Sequence, residues 1–268
     1  MDREVFFLYA ESQIHAGKGT DVGVVDSPIQ RERTTNFPVI QGVKGSLRNS
    51  GFFGKDEEIQ IFGSEPKSDE THPGGFAFSE AKILLFPVRN PEKVFVWVIC
   101  PMVLKRFLRS MGKDIEIPEV SDDEKVITAE SFTGDNIWLE ELEFKVQKNS
   151  KLAQIVEILS DCGPDEYTRK KIKESKDIFI VSDSIFQKIV ETMTEIVPRI
   201  KIDNTKGTVA ELWYEEYLPQ DTVMYFIVRK LNSSNSKNLV EKINGKLISI
   251  GGKETVGKGL AWIKKVES

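Results

Sequence analysis

HAGKGTDVGVVDSPIQRERTTNFPVIQGVKGSLR, from His15 to Arg48, is the stretch around which the rest of the chain is organised. It holds a histidine, the glycines Gly17, Gly19 and Gly23, an acid (Asp26) ahead of a Ser27-Pro28 turn, and the arginines Arg31 and Arg33. It then tightens at PVIQGVKGSLR, where Gly42 and Gly45 flank Lys44 and a helical turn starting near Val43 carries Arg48. Glycine lets a backbone approach a ligand closely, N–H groups at a helix start attract anions, and Lys and Arg beside them point to phosphate. Lys44 and Arg48 are four apart and share one helix face. That face is either a solvated basic strip or a grip on a run of backbone phosphates.

Upstream, Glu4 to Ala10 is rich in aromatic and β-branched residues and apolar on both faces, as a central strand is. Downstream, Ser64 to Gly75 is a polar loop with prolines toward its ends. Phe76–Pro87 and Val94–Ile99 predict a hairpin. Met102–Met111 is an amphipathic helix with Leu104, Phe107 and Leu108 on one face, stopped by Gly112. Leu142, Phe144 and Val146 alternate with charged residues as in a half-exposed strand, and Leu152, Ile155, Val156 and Leu159 keep helical spacing. Ile178–Val181 is a short buried strand; Ser182 or Asp183 then caps a helix through Ile185, Ile189 and Met193, closed by Pro198. Arg199–Leu212 places two arms around Asn204–Gly207, the composition of a hairpin turn. Val223–Val228 is a strand, NSSNSK (232–237) a loop, Leu239–Ile243 a short helix and Leu247–Ile250 a last strand. Strands and helices mix without regular βαβ alternation, so the fold class is α+β.

The 268 residues suffice for a real core, and 40% hydrophobic and 29% charged residues are ordinary for a soluble globular protein. A net charge of -5 restricts any nucleic-acid contact to a local basic stripe. Cys100 and Cys162 are too few for a disulfide framework and, with His15 and His72 the only histidines, make a structural zinc site improbable. The opening MDREVFFLYA lacks the plan of a signal peptide, and the run Val94–Leu104 is too short to span a membrane, so a reducing, cytoplasmic setting is expected.

No GxxxxGK[ST] loop is present, and neither HAGKGT nor GKETVGKG satisfies GxGxxG within a βαβ unit, which removes the case for ATP or dinucleotide binding. Gly251, Gly252, Lys253, Thr255, Gly257 and Lys258 follow an apolar strand and form either a flexible loop or a second phosphate-facing wall. Asp26 taken by itself is a turn cap, His15 a lone histidine able to move protons near neutral pH, and LWYEEYLP (212–219) a surface strand with an acidic face.

The order of HAG, GVVDSPIQRE and FPVIQGVKGSLR, followed by LWYEEYLP and IGGKETVGKG (250–259), resembles the repeated backbone subunit of the type III-B CRISPR effector, the Cmr complex, within the RAMP superfamily of RNA-binding proteins. The resemblance runs nearly end to end. It implies a single RAMP domain over residues 1–268, a modified ferredoxin-like (RRM-type) palm with insertions and a projecting β-hairpin thumb near 199–212. It also implies a subunit that binds guide CRISPR RNA, lines up with other copies of itself and other Cmr subunits, and cleaves guide-complementary target RNA at regular intervals in antiviral defence. In that family Asp26 matches the aspartate needed for cutting, with a divalent ion (Mg²⁺ or Mn²⁺) as an associated expectation. His15, Glu215 and Tyr217 match positions near the cleavage centre. Lys44, Arg48, Gly251, Gly252, Lys253 and Lys258 match RNA-gripping elements. Two other RAMP roles stay open on these residues: a non-catalytic RNA-binding scaffold and a CRISPR-repeat processing endoribonuclease.

Overall fold

The computed structural model describes residues 3–19, 25–65, 71–120, 122–174, 177–203, 205, 207–231 and 236–267. Gly23, part of the polar loop after Ser64, Asn204 of the expected turn and most of NSSNSK lie outside them. The first half of the chain runs β1 (Arg3–Ala10), β2 (Val39–Ile40), α1 (Val43–Arg48), α2 (Lys55–Phe62), β3 (Phe76–Phe78), β4 (Ala81–Asn90), β5 (Val94–Ile99) and α3 (Pro101–Met111). It continues through β6 (Lys125–Thr128), β7 (Asn136–Leu139), β8 (Leu142–Lys148), α4 (Leu152–Ser160), α5 (Glu166–Glu174), β9 (Ile178–Ile180) and α6 (Asp183–Thr192). The last elements are β10 (Glu195–Asp203), β11 (Thr208–Tyr217), β12 (Val223–Lys230), α7 (Ser236–Ile243), β13 (Lys246–Ser249) and β14 (Leu260–Lys265).

Among the described residues twelve strands share one sheet, in the order β13-β14-β1-β12-β4-β5-β9-β6-β8-β7, with β2 beside β4 and β3 beside β12. Pairing is antiparallel except for β5 with β9 and β6 with β8, so the mixed class read from the sequence holds. β1 sits between β12 and β14, which is why it is apolar on both faces: Phe6 stacks on Phe226 with centroids 5.3 Å apart, while Phe7 meets Phe107 of α3 on the other side.

The structure corrects several local expectations. α6 ends at Thr192, and Pro198 lies within β10 rather than closing the helix. The hairpin is therefore longer than 199–212 and spans Glu195–Tyr217 as a separate two-stranded sheet. Phe76–Pro87 is two strands, β3 and β4, which pair with different stretches of β12. The last strand is β14, not β13; it zips Ala10–Phe6 to Ala261–Lys265. At α6 the Ser182 Oγ accepts from Ile185 N at 3.1 Å, so Ser182 is the cap. No helix among the described residues is long and apolar enough to cross a membrane.

Candidate functional site

Four segments far apart in sequence meet at the base of the β10–β11 hairpin. The chain leaving β1 pairs through Ile14 with Leu218 and through His15 with Gly252. Next, Gly17 pairs with Ile29, and Ser27 runs parallel to Glu215 of β11, with Ser27 N donating to Tyr214 O (3.1 Å) and Glu216 N to Ser27 O (3.0 Å). Gln30 ties this to α1: its Nε2 donates to Gly17 O (3.0 Å) and its Oε1 accepts from Gln41 N (2.9 Å).

Strand alternation puts Trp213, Glu215 and Tyr217 on one face of β11, and Arg199, the register partner of Trp213, joins them. Glu215 is buried, and both its oxygens are engaged. Oε1 takes Trp213 Nε1 (2.8 Å) and Lys253 Nζ (2.5 Å); Oε2 takes Arg199 Nε (3.1 Å) and the Tyr217 hydroxyl (2.5 Å). Burial alone would raise its pKa, but the donors, Lys253 first and then Tyr217, Trp213 and Arg199, hold it down at about 2. The Tyr217 phenol moves the other way, raised by burial and by its bond to Glu215. Lys258 Nζ lies 5.3 Å from the Tyr217 ring centroid and donates to Gln13 Oε1.

Glu216 points to the opposite face and is also enclosed. Its carboxylate accepts from Arg31 (2.5 Å), Thr194 Oγ1 (2.8 Å) and Ile29 N (3.0 Å). Arg31, which looked like a phosphate ligand, also bonds Asn36 O and Val190 O at 3.0 Å each, so its guanidinium is a structural strut.

His15 is buried with its ring 5.4 Å from that of Tyr217. Nδ1 lies 2.8 Å from Glu216 O; a carbonyl only accepts, so Nδ1 carries the proton and Nε2 is the basic nitrogen. A Cβ on Gly17 would come within 2.7 Å of that Nε2. Gly251, at φ +84°, is equally constrained, because a Cβ there would lie 2.5 Å from His15 O.

Asp26 is exposed. Its Oδ2 accepts from Tyr214 N at 2.8 Å, a contact to the hairpin instead of a cap on the Ser27-Pro28 turn. Lys44 is also exposed, on a helix of six residues too short to act through its dipole. Arg48 shares that helix but turns inward, donating to Gly63 O (2.7 Å) and lying 5.6 Å from the Phe62 ring centroid. In the glycine-rich loop the Gly252 amide donates to His15 O (2.8 Å), so the loop offers its exposed stretch 251–257 and the Lys253 side chain, while that amide locks it to β1's exit.

A resident metal ion does not fit this donor set. Glu215 and Glu216 are saturated by donors, Asp26 stands alone, and no group of three His, Cys, Asp or Glu side chains suited to a metal occurs among the described residues. Arg199, Trp213 and Gln13 were not singled out from sequence. The available signal was parity: Glu215 and Tyr217 are two apart on a strand, and an inward Arg partway along the opposing arm faces them.

A protein-family model described as the RAMP superfamily matches residues 7–262. The CRISPR system Cmr endoribonuclease Cmr4 of Pyrococcus furiosus is 41% identical over 275 aligned positions, covering 94% of this chain and 92% of that protein. A crystal structure of oligomeric Cmr4 from the same organism superposes with a TM-score of 0.78 at 31% identity, covering 100% of this chain and 99% of that one. A chain of the Type III-B Cmr-beta complex bound to cognate target RNA, at 22% identity and TM-score 0.75, covers 98% of this chain and 97% of its own length, and shares the fold. This chain belongs to the RAMP superfamily.

Proposed function

We propose that this chain is the repeated, target-cleaving backbone subunit of a type III-B CRISPR effector, working in the cytoplasm on a guide CRISPR RNA shared with further copies of itself and other Cmr subunits. The observation that carries the reading is the Asp26 carboxylate, exposed and held against the hairpin base by the Tyr214 amide, in a chain 41% identical to a Cmr endoribonuclease. The order β14-β1-β12-β4, antiparallel throughout, with helices between β1 and β4 and between β12 and β14, supports a ferredoxin-like palm within a single domain. The β10–β11 hairpin is its thumb.

The exposed side of that hairpin is apolar: Ile200 and Leu212 pair across it at 54% and 56% exposure. Such a surface can wedge between bases and splay a target nucleotide, whose 2′-hydroxyl then lines up on the adjacent phosphate. Asp26 orients that hydroxyl or accepts its proton, and the products are a 2′,3′-cyclic phosphate and a 5′-hydroxyl. His15 Nε2 is a second proton acceptor beside the same hairpin base. Glu215, held at about pKa 2 by its donors, is a poor base; it and Tyr217 act through Arg199 and Lys253, setting the hairpin and the glycine-rich loop. Lys44, Lys253 and Lys258 hold guide phosphates. The expected divalent ion finds no second carboxylate beside Asp26 among the described residues, so no step runs through it.

The test is single-turnover cleavage of a guide-complementary RNA by a reconstituted complex carrying Asp26→Asn. Assembly and target binding should persist while the chemical step falls on the order of 10²-fold or more. Wild-type cleavage at saturating target would instead make the chain an RNA-binding scaffold.

A further inference from the structure

A polar cavity of about 830 Å³ opens between the C-terminal half of α3 and β1, β4 and β12. It is remote from the hairpin base: Arg3 starts β1 and His15 lies past its other end, roughly 23 Å away along a strand rising ~3.3 Å per residue. Arg3, Lys82, Arg106 and Arg109 line it against a single carboxylate, Glu80. In a chain of net charge -5 this is a local reversal of sign.

Part of that charge is internally compensated. Glu32 accepts from Arg106 (2.8 Å) and sits 3.5 Å from Lys82, which is also 3.4 Å from Glu80. Arg3 and Arg109 have no carboxylate partner among the described residues; Arg3 donates only to the Arg109 carbonyl, at 3.3 Å. Tyr225, 4% exposed and edge-on to Phe107 with centroids 5.2 Å apart, also lines the cavity. Its hydroxyl has no hydrogen-bond partner among the described residues. No fully buried side-chain polar atom among them goes without a partner, so the small exposed part of Tyr225 includes this hydroxyl, at the cavity wall. Burial pushes its pKa up to about 12, so it remains a donor.

We propose that this cavity binds a phosphate group, carried either by a free nucleotide or by an RNA backbone, with Arg3 and Arg109 as its charged ligands and the Tyr225 hydroxyl as a third donor. Guanidinium forks match phosphate oxygens bidentately. The volume accommodates a nucleotide, whereas a lone carboxylate would leave most of it and some of the donors unfilled.

The test is isothermal titration of the full chain with AMP and, separately, with an oligouridylate, for wild type, Arg109→Glu and Tyr225→Phe, each first shown to melt like wild type. At least one probe should bind wild type and weaken about tenfold or more in Arg109→Glu, the scale of a missing charge-assisted bond. Weakening confined to AMP identifies a free nucleotide; weakening confined to the oligouridylate identifies backbone phosphate. Equal binding by wild type and Arg109→Glu overturns the proposal, whatever Tyr225→Phe does, because Arg109 is exposed and its substitution spares the core. An oligoglutamate peptide that displaces the probe as well as phosphate does also overturns it, in favour of an acidic protein segment.

Discussion

Replacing Glu215 by Gln removes one charge from the centre of the site with almost no change of shape, and its cost follows from the bonds around it. Against an ordinary value of 4.5, a folded pKa of about 2 corresponds, at about 1.4 kcal/mol per pH unit, to roughly 3 to 4 kcal/mol at neutral pH. The Arg199 and Lys253 side chains are 32% and 37% exposed, so solvent screens part of this, and about 2 kcal/mol is the working figure. Because the folded value lies below the unfolded one, the contribution is whole above pH 4.5 and fades as the pH falls toward 2. Urea unfolding of wild type and Glu215→Gln at pH 7 and pH 3 measures it. The difference in stability should be about 2 kcal/mol at pH 7 and less than about 1 kcal/mol at pH 3. Equal differences at the two pH values would refute the ion network as the source of the depressed pKa.

Lys44→Ala should weaken guide RNA binding and lower the log–log salt slope by about one for each phosphate that is no longer neutralised, read by fluorescence anisotropy over a salt series; an unchanged slope removes Lys44 from the grip. Arg48→Ala should add a stability loss that Lys44→Ala lacks, because Arg48 donates to Gly63 O, and thermal melts separate the two. Ile200→Asp with Leu212→Asp should leave the melting temperature within a few degrees of wild type, since both side chains are exposed, yet disrupt cleavage at regular intervals along a long target RNA. Gly17→Ala should force the His15 ring to turn, breaking the bond from Nδ1 to Glu216 O; a cost of ~1–3 kcal/mol is the usual scale of such overpacking, and unshifted His15 imidazole resonances would show that the ring had not moved.

What the sequence made legible were elements whose signal is local. β1, α3, α4 and β12 carry their pattern within one run, and the hairpin announced itself by composition around its turn. α5, EYTRKKIKE, was missed because its charged residues hide the helical period, and β14 because it follows a glycine-rich loop and shows its purpose only in pairing with β1. The end of α6 was misplaced because Pro198 suits an exposed edge strand of a two-stranded ribbon as well as a helix stop. At the site, the resemblance to the RAMP family pointed to Asp26, His15, Glu215 and Tyr217, but neither it nor the residue types pointed to their unequal exposure. That depends on Arg199 and Lys253, which lie 16 and 38 residues from Glu215 in sequence.

Under the proposed function, that inequality explains why the site should contain a carboxylate as enclosed as Glu215. A buried ion network is an inefficient way to gain stability, since desolvating its members offsets most of their attraction, and packed apolar side chains would do as well. Its bonds, however, are directional in a way that apolar contacts are not. Arg199 rises from the hairpin, Lys253 from the glycine-rich loop and Tyr217 from the point where β11 enters the body of the protein, where the His15 ring packs on it. One carboxylate satisfying all of them fixes the angle between hairpin and loop. Asp26, bonded to Tyr214 beside Glu215, is placed by the same strand. On the proposed reading, a hairpin that splays a base and a carboxylate that meets the exposed 2′-hydroxyl must keep their spacing to within a fraction of an ångström to hold an in-line geometry, and tying Asp26 to Tyr214 of β11, the strand that Glu215 braces, serves that spacing.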